Sequence, residues 1–203
     1  IDIKGCSQVA WESPSNIALI KYWGKRPVQL PMNPSVSFTL SKAVTRTRLF
    51  FKPSASGAPV LKLYFEGREN RAFLPKVKSF LERISRYQPF VKGLDLIIDS
   101  SNTFPYSAGI ASSAASMSAL ALCLCSIENK VSGNLNNDKD FFQKASFIAR
   151  LGSGSAARSV YGGLVNWGEN PFIEGSDDEH ACPVPSKTAQ KFLDYRDSIL
   201  IVD

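Results

Sequence analysis

The chain has 203 residues, 44% of them hydrophobic and 21% charged, which is the balance of a globular protein with a sizeable buried core. No apolar stretch approaches the roughly 20 residues that span a bilayer, so we expect no membrane partner. The 24 basic and 18 acidic residues give a formal net charge of +6, which suits an anionic partner, either nucleic acid or a small molecule. The basic residues are scattered, and we expect most of them on a solvated surface.

Hydrophobic periodicity predicts strands and one helix along the first hundred residues. In chain order these are strands at 8–11 and 17–23 with a break at 13–15, strands at 35–40 and 46–51, a strand at 60–65, an amphipathic helix at 76–87 and a strand at 94–99. The alternating runs 35–40 and 46–51 are predicted to pair with each other.

The second half of the chain is predicted to contain more helix. It carries helices at 114–127 and 140–151, the latter capped by Asp138 or Asp140, then a loop at 152–159, a strand at 162–169 and a surface excursion at 171–185. Residues 186–197 fit no single element, and 198–203 is predicted to be a strand. Because the partners of such a strand should follow it, we expect further residues beyond Asp203 in the parent protein.

Four cysteines and one histidine offer no metal site by their spacing. Cys123 and Cys125 lie two apart in a predicted helix and therefore face different directions. We expect Cys6, Cys123, Cys125 and Cys182 to be free thiols of a reducing compartment. The amino end has no basic region followed by an apolar core, so a cytoplasmic location is expected. His180 lies in an acidic loop and is predicted to be exposed.

Residues 100–118 form the most informative segment, a loop of small residues between a predicted strand and a predicted helix. Gly109 lies at its turn, where the start of the helix exposes unpaired N–H groups and the positive end of the helix dipole. These features are suited to a phosphate, and Ser112 and Ser113 add hydroxyls for a phosphate oxygen or a phosphate-bound Mg²⁺. The alternative is a Ser/Ala-rich helix start that only caps and packs the helix.

The segment 150–159 is a second run of small residues, bounded by Arg150 and Arg158. Its glycines permit a tight backbone, while Ser153, Ser155 and Arg158 offer donors for a phosphate. Because both ends carry arginine, an anion site is favoured over an ordinary Gly/Ser turn.

A third candidate anion site lies at 15–26. In a strand, Lys21, Trp23 and Lys25 would share one face and Tyr22 would lie on the other. A lysine in so apolar a run indicates a function, since burying an unpaired ammonium is costly. The alternative is an edge strand with its lysines in solvent.

Together the three segments resemble the motifs of the diphosphomevalonate decarboxylase family, within the GHMP kinase superfamily. The superfamily phosphate loop Pro-x-x-x-Gly-Leu-x-Ser-Ser-Ala matches 105–114, with Ile110 in place of Leu. Four family patterns occur in this chain, in family order. Residues 16–26 match Asn-Ile-Ala-x-x-Lys-Tyr-Trp-Gly-Lys-Arg, and residues 33–40 match Asn-x-Ser-x-Ser-x-Thr-Leu. Residues 102–115 match Asn-x-Phe-Pro-x-x-Ala-Gly-Leu-Ala-Ser-Ser-Ala-Ala, and residues 152–159 match Gly-Ser-Gly-Ser-Ala-x-Arg-Ser.

The resemblance implies an α+β fold for residues 1–197, the N-terminal GHMP domain, similar to the second domain of ribosomal protein S5. Residues 198–203 would be the first strand of a truncated C-terminal, ferredoxin-like domain. It also implies a cytoplasmic homodimer that binds no nucleic acid. The family uses MgATP to phosphorylate the tertiary 3-hydroxyl of mevalonate 5-diphosphate and, with loss of phosphate and CO₂, forms isopentenyl diphosphate.

The resemblance also implies roles for individual residues. ATP would contact Ser100, Asn102, Pro105, Ala108, Gly109, Ile110, Ala111, Ser112 and Ser113, and Ser113 would also meet Mg²⁺ through the ATP phosphates. The substrate would contact Tyr22, Lys25, Ser153, Ser155 and Arg158. The catalytic residues would be Lys21, Ser112, Ser113 and Arg158, joined by an Asp expected beyond Asp203.

Several positions depart from the family pattern. Pro27 stands for an acidic residue, Pro34 for Ser, Thr103 for Asn and Ala157 for Cys. Two alternatives therefore stay open. One is a related mevalonate or phosphomevalonate kinase or decarboxylase with a less phosphorylated substrate. The other is a non-catalytic protein that binds phosphate or nucleic acid.

Overall fold

A mixed β-sheet and the helices packed against it make up the described part of the chain. The computed structural model describes residues 3–55, 59–105, 110–135, 137–184 and 189–198. The strands are β1 (Ser7–Ile20), β2 (Lys25–Arg26), β3 (Leu30–Pro31), β4 (Ser35–Pro53), β5 (Leu61–Phe65), β6 (Arg68–Glu69), β7 (Leu94–Asn102), β8 (Leu164–Trp167) and β9 (Ala181–Pro183). The helices are α1 (Leu74–Ile84), α2 (Ser112–Ser132), α3 (Asp138–Gly152) and α4 (Gln190–Leu193), with short 3₁₀ helices at Pro89–Gly93 and Gly154–Val160.

The long strand β4 organises the sheet. The strand order is β6-β5-β7-β4-β8-β9, and β1 also pairs with β4 along its length. β5 and β7 run parallel, whereas β4 is antiparallel to β1, β7 and β8. One continuous core joins the inward side chains of the sheet to α1, α2 and α3. Among its buried members are Leu49, Ile98, Phe80, Leu124 and Ile148.

The paired strands in the first half of the chain differ from their predicted form. The predicted break at 13–15 is wrong, because β1 continues through Pro14. The runs 35–40 and 46–51 belong to one strand, β4, and pair with β1 rather than with each other. The register shifts between Pro14, opposite Val44, and Ser15, opposite Leu40. Proline has no N–H to donate, and a bulge accommodates it without ending the strand.

The predicted helices are confirmed, with corrections at their ends. Neither Asp138 nor Asp140 caps α3, because the Asn137 side-chain oxygen accepts the Asp140 backbone N–H at 2.9 Å. The loop predicted at 152–159 is largely 3₁₀ helix, and the excursion at 171–185 contains β9, which pairs with β8. No helix in the described ranges is long and apolar enough to cross a membrane.

Cys123 and Cys125 are buried free thiols, as predicted, whereas the exposure predicted for His180 is wrong. The His180 ring contacts Gln143 and lies 2.9 Å from an Asp177 oxygen, with only 13% of the side chain exposed. Residues 199–203 of the strand predicted at 198–203 lie outside the described residues.

Candidate active site

The amino end of α2 presents backbone N–H groups. Ala111, just before it, has a left-handed backbone (φ 45°), and no side chain in the described part of the chain caps the helix. Among the described residues, the first-turn N–H groups of Ser112 and Ser113 therefore have no side-chain acceptor at the positive end of a 21-residue helix. This is the chemistry that binds phosphate.

One recess opens beside this helix start, between the strands β5 and β7 and the helices α1 and α2. Its polar wall includes Ser100, Ser112 and Ser113. Its apolar wall includes Phe65 and Phe73. An apolar wall with hydroxyls at the helix end suits an aromatic base joined to a phosphate chain.

A second recess borders the same helix start. Residues of all three candidate segments line it, and three of the predicted substrate residues, Tyr22, Ser155 and Arg158, are among them. Lys25 and Ser153 are not among its described lining residues. The described residues that line it are Asn16, Ala18, Lys21, Tyr22, Ala111, Ser155 and Arg158. Because Ala111 lines this recess while Ser112 lines the first, the two recesses meet at the start of α2.

Arg158 brings a buried positive charge to the second recess. Only 2% of the residue is exposed, and no carboxylate among the described residues forms an ion pair with it. One guanidinium nitrogen donates to Ser35 Oγ at 2.5 Å and the other to Asn16 Oδ1 at 3.2 Å, while Nε has no hydrogen-bond partner among the described residues. Burial lowers the pKa of Arg158 to about 10. A buried cation held only by neutral acceptors is poised to receive an anion.

Aromatic rings frame this guanidinium. The Tyr22 and Trp167 rings pack edge to face, with centroids 5.0 Å apart, and the Arg158 carbon lies 5.8 and 5.9 Å from them. Lys25 Nζ lies 5.6 Å from the Tyr22 ring. Gly154 permits this packing, since a Cβ there would lie 2.7 Å from Trp167.

β1 fixes both sides of the site from within the sheet. The Ser15 hydroxyl donates to the Ile110 carbonyl at the end of the phosphate loop. The Asn16 amide donates to the Ser155 carbonyl at 3.2 Å and to Ser159 Oγ at 2.7 Å. Two neighbouring residues of one strand thus hold the phosphate loop and the 3₁₀ segment together.

The strand predicted at 17–23 is too long, and the facing argument built on it is wrong. β1 ends at Ile20, so Lys21 lies in irregular chain, where it is exposed and lines the second recess. Asn33 fixes this backbone. Its amide donates to the Lys21 carbonyl at 3.1 Å, and its oxygen accepts the Trp23 N–H at 2.8 Å.

The other predicted site residues are less closely tied to the recesses. Asn102 accepts from Thr45 Oγ1 at 2.7 Å and is not among the described residues lining the first recess. Ser153 lies 3.3 Å from Ser155, oxygen to oxygen, and Pro105 is exposed. Ala108 and Gly109 fall outside the described residues.

Arg150, one of the two arginines that favoured an anion site at 150–159, uses its guanidinium structurally. Arg150 is buried in the last turn of α3 and donates to the carbonyls of Val28 and Glu179. Ser35 and Trp167 were missed as residues around Arg158. The signal for Ser35 was its place in the motif at 33–40, whereas Trp167 lay in a segment that matched no quoted motif.

Comparison with known proteins decides the family. The sequence profile of the diphosphomevalonate decarboxylase-like N-terminal domain matches residues 13–180. This chain belongs to that family. The *Gibberella zeae* diphosphomevalonate decarboxylase is 35% identical over 193 residues, which cover 86% of this chain and 47% of the relative. The rat enzyme is 34% identical over 83% of this chain and 43% of its own length.

Solved structures confirm the predicted α+β fold of the family's N-terminal domain. Mevalonate diphosphate decarboxylase from *Staphylococcus aureus* superposes with a TM-score of 0.71 at 30% identity, over 90% of this chain and 51% of that one. A structure of MDDEF in complex with MVAPP, AMPPCP and magnesium superposes with a TM-score of 0.67 at 32% identity, over 89% of this chain and 52% of that one. The chain spans about half the length of the curated relatives it matches.

Proposed function

We propose that the protein containing this chain decarboxylates mevalonate 5-diphosphate to isopentenyl diphosphate, consuming ATP and releasing ADP, phosphate and CO₂. The observation that carries the proposal is Arg158, buried without a carboxylate partner among the described residues, in a recess beside the free end of α2. A substrate with a carboxylate and a diphosphate supplies the anion that this guanidinium lacks.

On this proposal the first recess takes ATP. Ser100, Ser112 and Ser113 line it, and the hydroxyl and N–H donors at the helix start suit the phosphates. The described residues contain no group of three or more His, Cys, Asp or Glu side chains arranged to hold a metal. Mg²⁺ would instead be held by Ser113 through the ATP phosphates, where it neutralises phosphate charge.

The second recess takes the substrate. Arg158, Tyr22 and Lys25 bind its carboxylate and diphosphate, with the hydroxyls of Ser153 and Ser155 as further donors. Lys21, at the wall of this recess, meets the reacting hydroxyl and the transferred phosphoryl group. Preorganised donors of this kind stabilise the charge that develops on phosphate oxygens during transfer.

We further propose that the protein is a cytoplasmic homodimer. The buried free thiols Cys123 and Cys125 support a reducing compartment. The homodimer rests on the family resemblance alone.

The deciding experiment incubates the full-length protein with MgATP and mevalonate 5-diphosphate and follows ADP and CO₂ together. Equal release of both is the expected result. ADP without CO₂ would identify a kinase that stops at the phosphorylated intermediate. If neither appears, the proposed reaction is refuted, and mevalonate and its monophosphate become the next substrates to try.

A further inference from the structure

We propose that Ser35 is a positioning residue that aims Arg158 at the substrate without cancelling its charge. The proposal rests on the proposed function of the second recess. Ser35 is the first residue of β4 and is fully buried. Its Oγ accepts from Arg158 at 2.5 Å and donates to the Ile20 carbonyl at 2.8 Å.

The chemistry of a hydroxyl explains why serine suits this position. A hydroxyl has one proton, and the Ile20 carbonyl takes it, so the oxygen presents lone pairs to Arg158. A carboxylate in the same place would hold the guanidinium equally well but would also neutralise it. Ser35 and Asn16 therefore fix the direction of the guanidinium while its charge stays available for an anion.

The same oxygen also joins two parts of the site. Ile20 is the last residue of β1, and Lys21 and Tyr22, which line the second recess, follow it directly. Arg158 arrives from the 3₁₀ segment. Through one hydroxyl, Ser35 thus ties the guanidinium to the backbone that leads to the other substrate-binding residues.

Ser37 provides a matched control on the same strand. It lies two residues further along β4 and is equally buried, but its hydroxyl has no hydrogen-bond partner in the described part of the chain. Removing either hydroxyl deletes the same atom from a buried position. Only Ser35→Ala removes an acceptor from Arg158.

The test measures inorganic pyrophosphate binding to the full-length protein by calorimetry. Ser35→Ala should weaken binding about tenfold, since hydrogen bonds to charged groups are among the stronger ones. Ser37→Ala should leave affinity within about twofold, and ATP affinity should be unchanged in both variants. In an Arg158→Gln background, Ser35→Ala should have no further effect, because a positioning residue acts only through the group it positions.

Ser35→Asp supplies a second, independent measurement if Ser35→Ala fails to fold. The new carboxylate should pair with Arg158, and pyrophosphate affinity should fall about 100-fold or more because the guanidinium is neutralised. Circular dichroism checks that this variant is folded, since the carboxylate has no proton to donate to the Ile20 carbonyl. Retained affinity in Ser35→Asp would overturn the proposal. So would an undiminished Ser35→Ala effect in the Arg158→Gln background. Absence of CO₂ from the wild-type reaction would refute the proposed function while leaving this coupling measurable.

Discussion

Arg158 carries a charge into the interior, where Ser35 and Asn16 are the acceptors of its protons in the described part of the chain. A buried charge without an ionic partner costs stability, and the folded protein bears this cost until an anion binds. Arg150, eight residues earlier, is equally buried but satisfies two backbone carbonyls. Spacing alone could not separate the two arginines, because the residues that each one meets come from distant parts of the chain; the resemblance to the family singled out Arg158.

We predict that Arg158→Met stabilises the protein while abolishing substrate use. Replacing an unpaired buried charge with an apolar side chain of similar length should raise the free energy of unfolding by about 1 kcal/mol. The value of kcat/KM for mevalonate 5-diphosphate should fall by about 100-fold or more, because a charge-assisted contact is lost. Urea unfolding and steady-state kinetics check the two halves. A variant that is both less stable and still active would contradict the interpretation of Arg158.

The stability difference between this variant and wild type should not depend on pH near neutrality. Burial lowers the pKa of Arg158 to about 10, below the ordinary value of an arginine, so the unfolded chain binds more protons only between these two pKa values. The free energy of unfolding of the wild type therefore increases with pH, through Arg158, only between the folded and unfolded pKa values of this residue. Below both values the cost is constant, and unfolding measured at about pH 6 and about pH 9 should give the same difference.

At the scale of elements, the 3₁₀ helix Gly154–Val160 carries Ser155 and Arg158, which we propose bind the substrate. It was predicted as a loop because its Gly/Ser composition is typical of turns. Its regular form comes from tertiary contacts. Asn16 binds the Ser155 carbonyl, and the Ser146 hydroxyl binds the Ala157 carbonyl at 2.9 Å. Local sequence carries no information about either partner.

Gly154→Ala is predicted to damage both the fold and the site. A Cβ would lie 2.7 Å from Trp167, whose ring is fully buried and fixed by an Nε1 bond to the Asp178 carbonyl at 2.9 Å. The ring cannot yield, so we expect a loss of about 1–3 kcal/mol in unfolding free energy. Pyrophosphate affinity should also fall, because Trp167 packs against Arg158.

Gly162→Ala is the matched control for this change. Its Cβ position has no heavy atom within 4 Å, and its backbone is not left-handed. Thermal unfolding should leave it within about 0.5 kcal/mol of wild type. Equal losses of unfolding free energy in the two variants would mean that the clash with Trp167 is not what destabilises Gly154→Ala.

At the scale of the whole molecule, the helices were predictable because their apolar spacing and, in α2, an Ala/Leu-rich composition are local signals. The strands of the sheet were less predictable. The course of β1 through Pro14 and the single long β4 depend on their mutual register, which no window of sequence contains. The site residues of the quoted motifs were found through their resemblance to a family, whereas the meeting of two recesses at the start of α2 emerged only from the fold.

Chemical labelling of two buried cysteines can measure how often the core opens. Burial raises the pKa of both Cys123 and Cys125 to about 12, and both lie in α2. A thiol-labelling reagent should therefore modify them at least about 100-fold more slowly than half-buried Cys6, because reaction requires the core to open. Mass spectrometry of the labelled protein over time gives the rates. Comparable rates for all three cysteines would mean that α2 is not part of a stable core.

The way β1 holds the site limits how the site can deform. Ser15 reaches the phosphate loop and the adjacent Asn16 reaches the 3₁₀ segment, so one rigid strand sets the position of both. The two recesses, proposed to take nucleotide and substrate, are therefore positioned by the same strand and do not move independently. A slip of β1 by one residue against β4 would reverse every side chain on it and dismantle both sides at once. On the proposed function, the relative position of the two reactants therefore depends on the register of β1 against β4, which can change only in steps of whole residues.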